Sequence, residues 1–123
     1  MKKALVVGID DYPHPNKLNG CVNDAVELDT FLESNGDGSP NFEVRRLISS
    51  ETTVTSDKLD QAIRELFSGE AETVVFYFAG HGVFDEETNS GYLVAQDGRN
   101  PHWGIQLSTI LEQANKAHPR IKS

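Results

Sequence analysis

The sequence predicts an α/β domain, with helices on both sides of a mainly parallel sheet. Three features carry that expectation. Two runs, ALVVGI at residues 4–9 and TVVFYF at 73–78, are apolar without alternation, as strands buried on both faces are. Segments with helical apolar spacing lie between the strand-like runs. The resulting order, β-α-β-α-β-(β)-α, is that of a layered sandwich with crossover helices. The 123 residues suit one domain, and no repeat, low-complexity tract or linker divides residues 1–123.

The first strand stops at Asp10-Asp11, and DDYPHPNKLNG follows as a loop rich in Asp, Pro, Asn and Gly. From Cys21 to about Ser34, Val22, Ala25, Val26, Asp29 and Leu32 recur at helical spacing, and Leu28 and Phe31 widen the stripe. Asn35-Gly36 ends this helix, with Gly36 as a left-handed cap. NFEVRRLI, residues 41–48, alternates in part and reads as the second strand. Thr55 or Ser56 caps a second helix over 56–70, with Leu59, Ala62, Ile63, Leu66 and Phe67 on one face. The third strand, 73–78, breaks into Ala79-Gly80-His81-Gly82. DEETNSG is a polar turn, YLVAQD (92–97) a short strand, and QLSTILEQANKA (106–117) a third helix with Leu107, Ile110, Leu111 and Ala114 inward. Pro119 ends that helix and Ile121 opens a further segment. Strands one and three, the most apolar, are expected at the centre of the sheet.

Hydrophobic residues make up 37% of the chain and charged residues 24%, enough for a packed core. A net charge of -8 disfavours a nucleic-acid partner and suits a cationic peptide better. One cysteine, Cys21, excludes an internal disulfide and fits a reducing compartment. The first apolar run is too short for a signal peptide or a membrane span, so a cytoplasmic protein with no membrane partner is expected.

Reactive groups in open parallel sheets gather beyond the carboxyl ends of the strands. The loops at 10–20 and 79–84 should therefore share one edge. His81 projects there from the end of an apolar strand, and histidine exchanges protons near neutral pH. Gly80 permits a sharp turn, and Gly82 leaves its N–H uncovered, as an oxyanion donor requires. The plainer reading is a turn with an exposed histidine. Cys21 opens a helix, where a thiol pKa can fall and make a Cys21–His81 dyad, or it is a small buried residue. Asp24 either balances the helix dipole or binds a cation. Cys21, His14, His81 and His102 are the candidate zinc ligands, but no spacing among them matches a ligand pair. No GxGxxG or GxxxxGK[ST] is present, and a phospho-acceptor aspartate in GIDDY would leave His81 without a role.

ALVVGIDDY, LNGCVNDA (18–25) and VVFYFAGHG, in this order, resemble the caspase-like cysteine peptidases, most of all the p20-type N-terminal part of metacaspases and their bacterial relatives. The resemblance runs from residue 3 to about residue 112. It implies a three-layer α/β/α caspase-like sandwich and peptide-bond hydrolysis by a His–Cys dyad. By this match His81 is the general base and the Gly82 N–H an oxyanion donor. Asp24 is the acidic residue of a pocket that accepts Arg or Lys at P1, with Cys21 a non-catalytic neighbour and Ala79 on the same substrate-binding edge. No cofactor is expected. Asp97 matches one of the acidic residues that hold calcium in metacaspases, whereas Gln106-Leu107 stands where an Asp-Asp pair would fall, which speaks against a calcium site. Asp85, Glu86 and Glu87 read as a solvated acidic turn.

In this family the nucleophilic cysteine ends the next strand, about 50 residues after the histidine. No cysteine follows His81. The resemblance therefore implies a chain truncated before that strand, inactive alone and completed by the rest of the domain or by a partner chain. Two other readings remain: an inactive caspase-like interaction or regulatory module, and a Cys21–His81 thiol enzyme. A protein or peptide substrate is the expected partner. An unpaired edge on strand three would also favour a homo-oligomer.

Overall fold

A computed structural model describes residues 1–13 and 16–116. The element order is β1 (Lys2–Gly8), α1 (Cys21–Glu33), β2 (Glu43–Ile48), α2 (Ser56–Leu66), β3 (Thr73–Ala79), β4 (Gly82–Asp85), β5 (Ser90–Arg99), β6 (His102–Gln106) and α3 (Leu107–Lys116). β1 pairs in parallel with β2 on one side and β3 on the other. Successive β1 side chains face opposite layers. Ala4 and Val6 pack with Leu28 and Leu32 of α1, while Leu5 and Val7 join Leu59 and Ile63 of α2. This is the α/β/α sandwich expected.

β1 alone is central. β3 lies at the edge of the sheet among the described residues, its side chains half-buried rather than buried. Its apolar composition suits two-sided cover, and the described elements supply strand cover on one side only.

A second sheet was not legible in the sequence beyond its middle strand. β4, β5 and β6 form an antiparallel meander, with the β4–β5 hairpin turning at Asn89 in a left-handed conformation. β4 and β6 are only four and five residues long, too short for their apolar pairs, Val83-Phe84 and Trp103/Ile105, to stand out as strand patterns. Val94 and Ile105 turn inward and join the α2-side core.

The helices correct several expectations. In α1 the buried positions are Ala25, Asp29 and Leu32, and Phe31 is 76% exposed. Two residues is about 200° around a helix, so Phe31 lies opposite the buried Asp29. The helix ends at Ser34 in extended backbone, and the left-handed glycine is Gly38, not Gly36. α2 buries all five expected residues, caps on Thr55 and stops at Leu66. In α3 only Ala114 is buried, with Leu107 and Leu111 45% and 61% exposed. Its apolar stripe is wider than the surface that α2, β5 and β6 offer it. Pro119 and Ile121, expected to end that helix and to open a further segment, lie outside the described residues.

Asp29 is the one buried charged residue of the described core. Its Oδ2 faces Arg46 Nη1 at 3.4 Å, and Arg46 is shared with Glu51, while Oδ1 has no donor. Burial, then the Glu33 carboxylate one turn along, push Asp29 up to about 6 against the pull of Arg46.

Two outcomes are expected. A Cβ at Gly8 would lie 2.6 Å from Cys21 O, backbone that cannot swing aside, whereas nothing lies near Gly36. Gly8→Ala should cost about 1–3 kcal/mol in denaturant unfolding, and Gly36→Ala within about 0.5 kcal/mol of nothing. Asp29 has a folded pKa above its unfolded value of 3.8, so its contribution is present in full below that value and is lost as pH rises through about 6. Asp29→Asn should therefore gain on the parent between about pH 4 and about pH 7. An equal difference at both pH values would show that Asp29 is not the group responsible.

Candidate functional site

The C-terminal ends of β1 and β3 lie side by side, Gly8 opposite Ala79. Ile9 N–H donates to Ala79 C=O at 2.9 Å, continuing the ladder one residue past β1. Ala79 thus ties the two strand ends together immediately before the loop that bears His81.

Beyond Ile9 the chain turns at Asp10. The N-terminus of α1 has no cap of its own, because Gly20, at φ 103°, has no side chain to offer. Asp10 supplies the cap from the strand loop: Oδ1 accepts from Cys21 N–H at 2.8 Å and Oδ2 from Val22 N–H at 3.2 Å. Its own N–H donates to Ser49 Oγ at 3.0 Å. Gly8 allows this close approach of strand and helix. The sequence places Asp10 in a loop, but nothing local shows that it caps a helix eleven residues on.

Cys21 is half-buried beside that carboxylate. Burial pushes the Cys21 thiol up, and the charges of Asp10 and Asp24 push the same way. The lowering expected from a helix N-terminus is overridden, by burial first and then by these carboxylates. Asp24 is exposed in the first turn of α1 and forms no ion pair among the described residues.

His81 is half-buried after β3. Its ring Nε2 meets Asn16 O at 2.5 Å. A carbonyl only accepts, so this contact requires the proton on Nε2 and leaves Nδ1 as the acceptor. In the neutral ring this places the lone pair on Nδ1. The ring packs on Tyr12, with centroids 4.5 Å apart at 55°. Tyr12 is buried, and burial pushes its phenol up to about 12, so the hydroxyl keeps its proton near neutrality. Gln96 of β5 clasps this loop, donating from Nε2 to Asp11 O at 2.9 Å.

Val94 N–H donates to His81 C=O at 2.9 Å, which makes His81 and Val94 a hydrogen-bonded position of the antiparallel ladder. Gly82, opposite Leu93, is the next position, and there the N–H turns away from the partner strand. A Cβ at Gly82 would find only Tyr92 O, at 3.6 Å, so the residue is uncrowded on its side-chain side. The two glycines flanking His81 thus differ. Gly80 is crowded, with Tyr12 Oη 2.5 Å from a would-be Cβ, while Gly82 is not.

The edge therefore brings together His81, Gly82, Tyr12 and Asn16, with Cys21 and Asp10 at the adjoining helix end. Nothing local in the sequence marks Tyr12 or Asn16, and the aspartates of GIDDY suggest only a phospho-acceptor, not the helix cap that Asp10 provides. Asp97 accepts from Ser56 N–H and Oγ at 2.9 and 3.0 Å, so it holds the start of α2. Among the described residues no three His, Cys, Asp or Glu converge to hold a metal ion, and His14 lies outside the described residues. No described helix is long and apolar enough to cross a membrane.

The family model described as the caspase domain of the C14 peptidases matches residues 1–116. Metacaspase-1 of Scheffersomyces stipitis is 29% identical over 101 residues, covering 74% of this chain and 25% of that protein. Metacaspase-1 of Candida albicans is 29% identical over 98 residues, covering 74% of this chain and 21% of that protein. A shorter stretch of 31 residues is 48% identical to Metacaspase-1B of Aspergillus niger, covering 25% of this chain and 7% of that one. The chain spans a quarter or less of the length of these relatives.

A thiol raised by burial and by carboxylates is a poor nucleophile at neutral pH. Cys21 should react with iodoacetamide at or below the rate of an ordinary exposed thiol, and His81→Ala should leave that rate unchanged. Rapid labelling that depends on His81 would reverse this assignment.

Proposed function

The chain belongs to the caspase-domain family of cysteine peptidases, and from that premise we propose that it contributes the base-bearing part of a His–Cys dyad that hydrolyses peptide bonds after basic residues. The observation that carries the reading is the state of His81: Nε2 is tied to Asn16 O, and Nδ1 is free to accept a thiol proton. In the proposed cycle a thiol gives its proton to Nδ1 and the sulfur attacks the scissile carbonyl. The Gly82 N–H, turned out of the ladder, donates to the oxyanion. The proton then passes from His81 to the leaving amine, and water hydrolyses the thioester with the same ring as base.

Cys21 does not suit the nucleophile's part, because its surroundings disfavour the thiolate. The nucleophile is therefore proposed to come from a strand that pairs with the outer edge of β3, in a longer form of this protein or in a partner chain. Asp24, exposed one turn into α1, is proposed to receive Arg or Lys at P1, and the net charge of -8 favours a cationic substrate. No cofactor is required by this cycle. A cytoplasmic setting remains the expectation from the single cysteine.

The test uses the longest natural form of the protein with fluorogenic peptides bearing Arg, Lys or Asp at P1. Cleavage after Arg and Lys is expected, with His81→Ala lowering kcat by about 10²- to 10⁴-fold. Asp24→Asn should raise KM for Arg peptides and narrow the gap to Asp peptides. Loss of all turnover in Cys21→Ala would favour the Cys21–His81 pair instead. Absence of turnover with every peptide, and of any further cysteine, would favour the interaction module.

A further inference from the structure

Tyr12 takes no part in the proton transfers above, yet its hydroxyl makes two bonds to backbone remote in sequence. It accepts from His81 N–H at 3.0 Å and donates to Val94 C=O at 2.8 Å. On the other side of the same pair, Val94 N–H donates directly to His81 C=O at 2.9 Å. A hydrogen-bonded position of an antiparallel ladder ordinarily exchanges both bonds directly. Here one of the two is replaced by a relay through a side-chain oxygen, N–H to Oη to O=C. An inserted oxygen holds the two strands apart at the residue that bears the imidazole.

The surroundings are shaped to admit this insertion. Gly80 leaves room for the hydroxyl, which a Cβ there would meet at 2.5 Å. Tyr12 is only 6% exposed, so water has little access to its hydroxyl. The aromatic ring packs at a tilt on the imidazole, and Asn16 O meets Nε2 of the same imidazole. Both Tyr12 and Asn16 belong to the loop after β1, which Asp10 and Gln96 anchor.

We propose that Tyr12 is the positioning residue of His81: its hydroxyl, wedged into the β4–β5 ladder between His81 and Val94, sets where the histidine backbone sits, and its ring sets the tilt of the imidazole. The proposal rests on His81 being the general base. Phenylalanine at this position keeps the ring and removes both the donor and the acceptor. His81 N–H and Val94 C=O would then close on each other to re-form the direct bond, drawing His81 toward β5. That movement stretches the Asn16 contact and loosens the hold on the Nε2–H tautomer. Displacements of about 1 Å in a catalytic group can cost about 10²-fold in rate.

The test reads the histidine itself, by nuclear magnetic resonance of the isotopically labelled chain at a pH where the imidazole is neutral. In the unaltered chain the His81 amide should exchange slowly, the Nε2–H tautomer should dominate, and the Tyr12 and His81 rings should show mutual Overhauser contacts. Absence of the amide protection or of the ring contacts overturns the proposal, whether or not any variant folds. In Tyr12→Phe the His81 amide and ring signals should shift and the Nε2–H share should fall. Tyr77→Phe, on the α1 side of the sheet, should leave them in place. A folded Tyr12→Phe that is less stable but has unshifted His81 signals overturns the positioning role and leaves a structural one. In a form of the protein that turns over peptides, Tyr12→Phe should lower kcat by about 10- to 100-fold with KM retained. Shifted signals in a protein with no turnover would remove the dyad and leave the placement of His81 by Tyr12 standing.

Discussion

The carboxylate of Asp10 caps a helix to which it does not belong, and the edge of the sheet is organised around that bond. Four N–H groups at a helix start lack intrahelical partners, and Gly20 brings no side chain to satisfy them. Two of them are met by Asp10, which holds the end of β1 against the first turn of α1. The contact is close enough that Gly8 has no room for a side chain. Once Asp10 is committed to the helix, the next residues of its loop are directed across the top of the sheet, where Tyr12 and Asn16 reach His81.

The same bond decides the chemistry of Cys21. A helix N-terminus stabilises a thiolate, but a capping carboxylate placed there first takes up that positive field. The thiol beside it meets burial and two negative charges instead. Cap and nucleophile are competing uses of one helix end, and this chain uses it as a cap. His81, by contrast, is held entirely by neutral groups, a carbonyl, a phenol and the backbone, which orient the ring without adding charge beside it.

Asp29 shows the same electrostatic economy on the other side of the sheet. It occupies a core-facing position of α1 with one oxygen near Arg46 and the other without a donor. Burial, and then the neighbouring Glu33 carboxylate, outweigh Arg46, which is why the carboxyl rises rather than falls beside an arginine.

Local patterns made much of this legible. The unbroken apolar runs marked β1 and β3, the stripe of Leu59, Ala62, Ile63 and Leu66 marked α2, and the glycines around His81 marked a strand end where chemistry belongs. The three motifs also carried the family. These signals are read over a few residues, and neighbours in sequence suffice to produce them. The antiparallel meander, the outward Phe31, the exposed row on α3 and the raised Cys21 thiol came from partners that no local pattern specifies. Tyr12 meets Val94 across 82 positions and His81 across 69, and Asn16 meets His81 across 65. Sequence by itself determined β1, β2, β3, the middle strand of the meander and the three helices, and that a histidine ends the third strand, because periodicity and glycine placement are local. Only the tertiary structure decided which nitrogen of that histidine is free and what holds it there, because a hydrogen bond is set by where the chain brings its donor and acceptor, not by the residues beside them.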